Sequence, residues 1–157
     1  MSARVNERSV PGVEFPDSMA VSPSLDESFT DTDLVIVVVP SITVRENMKK
    51  IRKAIPSDSN VVCATKGIEI ATGKRMSQVI GEELPGFDSN RIGVLSGPNL
   101  APEIAAGNVA TATVAFPSDA IGETVQEELS SDVFRVYRSE DALGAALCAA
   151  VKNIIAI

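Results

Sequence analysis

At 157 residues the chain is long enough for one domain with a sizeable core. Its net charge of −7 argues against a nucleic-acid or anionic-membrane binder, although a local basic pocket for phosphate stays open. With no histidine, a histidine general base and a histidine-ligated zinc are both excluded, and 45% hydrophobic with 22% charged residues is the balance of a soluble globular protein.

Residues 1–30 are polar and turn-rich, with Pro11, Gly12, Pro16 and Pro23, and read as a connecting segment with a short helix at Ser24–Phe29. Leu34–Val39 is a continuous β-branched run ended by Pro40, as expected of a strand buried on both faces in a parallel sheet. Ser41 is placed to cap a helix over Ile42–Ala54, with Val44, Met48, Ile51 and Ile55 at helical spacing, closed by Pro56. Asn60–Ala64 predicts a second strand, followed by the turn Thr65-Lys66-Gly67. Lys74–Leu84 predicts an amphipathic helix stopped by Pro85-Gly86. A third strand over Arg91–Leu95 opens into Ser96-Gly97-Pro98-Asn99, where Asn99 is placed to cap the short helix Ala101–Ala106. Ala110–Phe116 is a fourth strand, Ala120–Leu129 a helix capped by Ser118, and Val133–Tyr137 a fifth strand. Ser139 caps a last helix, with Glu140 and Asp141 at its positive end.

Strands alternating with helices through short connections argue a doubly wound α/β sheet without internal domain boundary. In such a sheet, ligands bind beyond the carboxyl ends of the strands. The three polar turns, at Pro40-Ser41, Thr65-Lys66-Gly67 and Ser96–Asn99, fall there and point to a dinucleotide domain. Yet the chain has no G-x-G-x-x-G, the turn that seats a pyrophosphate on a helix N-terminus. The final stretch AALCAAVKNIIAI is apolar nearly throughout but holds Lys152 and Asn153. A lysine there either snorkels to water or does chemistry. Cys63 and Cys148 lie in apolar runs and read as buried free thiols of a reducing compartment. Glu82-Glu83 reads as a solvated helix end, with no metal site around it. No signal peptide or uninterrupted apolar span is present, so a cytoplasmic protein is expected.

Five pieces carry a resemblance: VPS (Val39–Ser41), ATKGIE (Ala64–Glu69), LSGPNLAPEIAAG (Leu95–Gly107), FRVYRSEDALG (Phe134–Gly144) and AAVKNIIAI (Ala149–Ile157). Their order and spacing are similar to those of the NAD(P)-dependent glycerol-3-phosphate dehydrogenases, and NERSVPGVEFP near the start resembles that family's segment after the second strand. The resemblance implies an incomplete Rossmann-like sheet. The first βαβ unit with its glycine-rich turn, and a C-terminal helical domain, would be absent. Residues 1–138 would be a partial dinucleotide-binding domain, and 139–157 the start of the helix leading into the substrate domain.

The family's reaction reduces dihydroxyacetone phosphate to sn-glycerol 3-phosphate with NADH or NADPH, toward phospholipid synthesis. The resemblance makes Lys152 the general acid/base on the carbonyl oxygen and places Lys66 between nicotinamide and substrate. Gly97 and Asn99 would contact substrate, Asn153 would orient the site, and Pro40 and the Ala101 backbone would contact the cofactor. Ala146 and Ala149 depart from the family's usual Glu and Gly. The alternative is a non-catalytic fragment of such an enzyme, folded or oligomeric but without turnover.

Overall fold

The computed structural model describes residues 4–155, apart from the side chains at 25, 26 and 153–155. The chain opens with an antiparallel ribbon, β1 (Val5–Asn6) against β2 (Val10–Glu14). The Arg4 guanidinium ties down its far end by donating to the carbonyls of Phe15, Pro16 and Met19. The sequence reading missed this ribbon because Pro11-Gly12 signals a turn. A two-stranded ribbon has free edges, where proline is tolerated. The expected short helix is present as α1 (Leu25–Ser28), with the Ser24 hydroxyl accepting from the Glu27 N–H.

The main sheet contains β3 (Leu34–Val37), β4 (Asn60–Cys63), β5 (Ile92–Ser96), β6 (Ala110–Ala115) and β7 (Phe134–Ser139), side by side in that order. The first three are parallel, with Leu34 opposite Asn60 and Val61 opposite Ile92. β6 then runs antiparallel to β5, with Val94 opposite Ala115, and β7 runs parallel to β6. The reversal departs from the parallel arrangement expected and has a physical cause. The connection from β5 to β6 holds only α4 (Ala101–Ala105), five residues. At 1.5 Å per residue that helix is about 7.5 Å long, too short to carry the chain back along a strand of about 17 Å. The chain must therefore re-enter the sheet from the edge it has just left.

α2 (Val44–Ile51) and α3 (Met76–Glu83) pack on each other over one face of β3–β5. Val35, Val37, Val44, Met48, Val61 and Ile80 form the core there. α5 (Asp119–Leu129) covers β7 and β6 on the other face, around Val62, Val114, Phe116, Val125 and Val136. The caps expected at Ser41 and Ser118 do not form. Ser41 instead begins a 3-10 turn, Ser41–Thr43, in which the Thr43 hydroxyl donates to the Pro40 carbonyl at 2.8 Å. Ser139 does bind the next helix, its hydroxyl accepting from the Asp141 N–H at 3.1 Å.

Leu34–Val39 is not buried on both faces. Ile36 is 43% exposed and Val38 68% exposed, because α5 lies at the other side of the sheet and β3 is its edge. α6 (Ala142–Ile155) lies across β5 and β6 and buries Ala146 and Ala149 against them. Its outer stripe, Leu143, Leu147 and Val151, is exposed. Cys148 shares that outer side and is exposed, contrary to the buried thiol expected; Cys63 is buried, and both are free. Burial pushes the Cys63 thiol up to about 11, against a weak contact to the Thr65 carbonyl, so it is inert packing. Among the described residues no helix is long and apolar enough to cross a membrane.

Candidate active site

The reversal of β6 and β7 builds the site. β4 and β5 end at the same edge of the sheet, with Lys66 and Gly97 just beyond them. β7, running the other way, ends at the opposite edge, and α6 starts there. From Ala142 to Lys152 the helix rises about 15 Å, close to the length of a strand, which brings Lys152 back to the edge that holds Lys66 and Gly97. Had β6 been parallel, α6 would have carried Lys152 away from them.

Beyond β4, the Thr65 hydroxyl donates to the Val39 carbonyl at 2.8 Å and pins the turn to the end of β3. Gly67 follows at φ +125°, a conformation that L side chains rarely adopt, with the Ser41 side chain against it. The chain therefore turns sharply after Lys66, and its ammonium donates to the Gly97 carbonyl at 3.0 Å. Burial, and then the nearby charge of Lys152, hold the Lys66 ammonium below the ordinary lysine range. Two cations and a strand-end carbonyl thus converge at one place.

Gly97 admits no side chain. A Cβ there would stand 2.5 Å from the Thr111 carbonyl oxygen and 2.7 Å from Asn99 Nδ2. Asn99 does not cap α4, whose N-terminal flank is Leu100 without a side-chain bond. Among the described residues, Asn99 Oδ1 is the one buried side-chain polar atom left without a hydrogen-bond partner. A buried acceptor left open is costly unless a ligand or water fills it. Pro40 and Ala101 stand exposed at the carboxyl ends of β3 and β5. The Asn153 side chain lies outside the described residues. A hollow lined by Ile55, Leu84, Pro85 and Phe87 is at the opposite edge and holds none of these groups.

Beside this site is an ion-pair cluster that the sequence did not reveal. Arg45 on α2 binds Glu69, Glu82 and Glu83. Glu83, expected to be solvated, is 7% exposed and lies under the Arg45 guanidinium. Nothing in the spacing of Arg45 and Glu69, 24 residues apart, signals the pair. Among the described residues no group of three or more Cys, Asp or Glu is placed to hold a metal ion.

Comparison with known proteins identifies the family of the chain. Residues 1–121 match the family described as NAD-dependent glycerol-3-phosphate dehydrogenase N-terminus. The glycerol-3-phosphate dehydrogenase (NAD(P)+) of Chlorobium limicola is 40% identical over 154 residues, 98% of this chain and 46% of that protein. That of Corynebacterium glutamicum is 38% identical over 152 residues, 97% of this chain and 46% of that protein. The crystal structure of glycerol-3-phosphate dehydrogenase from Coxiella burnetii, 29% identical, superposes with a TM-score of 0.88 over 98% of this chain and 46% of that one. The chain thus spans about half the length of the relatives it matches, and it belongs to the NAD-dependent glycerol-3-phosphate dehydrogenase family.

Proposed function

We propose that this chain carries the substrate-reducing edge of a site that converts dihydroxyacetone phosphate to sn-glycerol 3-phosphate with NADH or NADPH, a cytoplasmic reaction that supplies the backbone of glycerophospholipids. The observation that supports it is the convergence of Lys66, Gly97 and Lys152. When bound, NADH or NADPH would supply a hydride to the carbonyl carbon. As the C=O π bond breaks, its electron pair goes to oxygen, which takes a proton from the Lys152 ammonium. Lys66, between nicotinamide and substrate, neutralises negative charge on the substrate. Gly97 lets substrate approach the backbone, and Asn99 Oδ1 accepts from a substrate hydroxyl. Asn153 orients this group. An anion between two like charges removes the repulsion that Lys66 shows in the free protein.

The residues present fit the nicotinamide end of the cofactor. The strand-end turns at Pro40 and Ala101 are exposed, and the buried Asn99 Oδ1 has no partner within the protein. In this reading residues 1–138 belong to the dinucleotide-binding domain, and 139–157 lead into the substrate domain. A second reading, a chain that folds without turnover, is favoured by one observation: no G-x-G-x-x-G occurs in the 157 residues.

One assay separates the two. Oxidation of NADH and of NADPH on adding dihydroxyacetone phosphate is followed for this chain, and for a chimera that completes it with the flanking regions of the Chlorobium limicola relative. We expect the chimera to turn over, and Lys152→Ala to reduce its rate by about 10²–10⁴-fold, the usual contribution of a positioned proton donor. An active chimera beside a folded, silent chain selects the second reading for the chain itself. A folded but silent chimera refutes the assigned reaction.

A further inference from the structure

The turn that carries Lys66 is fastened from behind. Residues 68–75 close on themselves: the Glu69 N–H donates to the Lys74 carbonyl at 2.8 Å, the Gly73 N–H to the Glu69 carbonyl at 2.8 Å, and Ile68 bridges to Arg75. The Glu69 carboxylate then meets Arg45 on α2 as a two-pronged pair, Nε to Oε1 and Nη2 to Oε2, each 2.7 Å. The same guanidinium reaches α3, donating to Glu83 at 2.6 Å and Glu82 at 2.9 Å, while Lys74 binds the second oxygen of Glu82. A forked guanidinium–carboxylate pair fixes orientation as well as distance, which a single ammonium cannot do. Glu69 lies three residues beyond Lys66, with the sharp turn at Gly67 between them.

We propose that Arg45 is a positioning residue for Lys66: by clamping Glu69 it fixes the turn that holds the Lys66 ammonium against the Gly97 carbonyl and beside Lys152. The proposal rests on the reading of Lys66 as a substrate-site cation and deepens it. Arg45 acts through its carboxylate partners Glu69, Glu82 and Glu83. The competing view is that the cluster only welds α2 to α3.

Two variants distinguish these views. Glu69→Gln opens the clamp but leaves Arg45 on Glu82 and Glu83, so no buried carboxylate is stranded. Arg45→Lys keeps the charge and loses the fork. In each, the lysines of the free protein are labelled by 13C reductive methylation, and the Lys66 resonance, assigned by its loss in Lys66→Arg, is titrated with pH. The groups facing Lys66 are the Lys152 ammonium from α6 and the neutral Gly97 carbonyl. Release from them moves the Lys66 midpoint up toward the ordinary lysine value. We expect the Lys66 midpoint to rise in both variants, with a matching drop in free amine at a fixed pH. An unmoved Lys66 midpoint in a folded variant overturns the positioning role. Should one variant fail to fold, the other decides. In the active chimera the same substitutions raise KM for dihydroxyacetone phosphate more than they lower kcat. A shifted midpoint with a silent chimera retains the positioning role and sinks the assigned reaction instead.

Discussion

A methyl group on Gly97 would have to displace backbone, since its nearest neighbour is the Thr111 carbonyl 2.5 Å away. Gly81, inside α3, is the contrasting case, because a Cβ there meets only the end of the Ile92 side chain at 3.6 Å. Gly97→Ala is therefore expected to destabilise by about 1–3 kcal/mol, as overpacking does. Gly81→Ala is expected to stabilise by about 0.5–1 kcal/mol, through lost freedom of the unfolded chain and better helix propensity. Urea unfolding measures both, and equal effects would show that Gly97 is not sterically required. At this scale the sequence was legible where residue type itself carries the chemistry. The motifs that hold Lys66, Gly97 and Lys152 could be picked out by type, and Lys66 binds the Gly97 carbonyl with Lys152 nearby. It was not legible where a side chain has a choice of partners. Asn99 looks like a helix cap by type, yet its Oδ1 is left open. Cys148 sits in an apolar run, yet on the outward side of its helix.

Among the elements, the turn from Lys66 to Arg75 depends on charge as well as on backbone. Hydrogen bonds from Arg45, and then from Thr72, pull the Glu69 carboxyl down to about 2, from an ordinary 4.5. A carboxyl lowered in the folded state binds its proton more readily when unfolded. Its stabilisation is thus full above about pH 4.5 and is lost as the pH falls toward 2. Unfolding free energy measured from pH 5 to pH 2 should fall more steeply in the parent chain than in Glu69→Gln, whose amide does not titrate in that window. Parallel curves for the two proteins would remove Glu69 from the acid sensitivity of the fold. Helices and strands themselves were largely legible, since hydrophobic period and Pro or Gly stops mark α2, α3 and β3–β5 within a few residues. What binds elements to one another was not. Arg45 and Glu83 are 38 positions apart and meet only because α2 and α3 pack side by side.

For the molecule as a whole, the reversal of β6 was also beyond periodicity, because Ala110–Ala115 alternates identically read in either direction. The length of the preceding connection was the available signal. A further consequence concerns the other side of the sheet. β3 forms its edge, four apolar residues long, with Ile36 and Val38 exposed and no partner strand among the described residues beyond it. An apolar open edge is a template for pairing with another chain, and it carries none of the charges or prolines that usually guard such edges within Leu34–Val37. The net charge of −7 opposes association between copies at low ionic strength, but screening shortens its reach to about 10 Å at 0.1 M salt. The chain is therefore expected to self-associate as concentration and salt increase, which sedimentation velocity resolves directly. Val38→Lys places a charge at the end of this edge, outside the core, and should restore the monomer with little change in unfolding free energy. A single sharp monomer boundary for the parent chain at all salt concentrations would show that the β3 edge is protected. Association unchanged in Val38→Lys would move the interface elsewhere, first to the exposed stripe of Leu143, Leu147 and Val151 on α6.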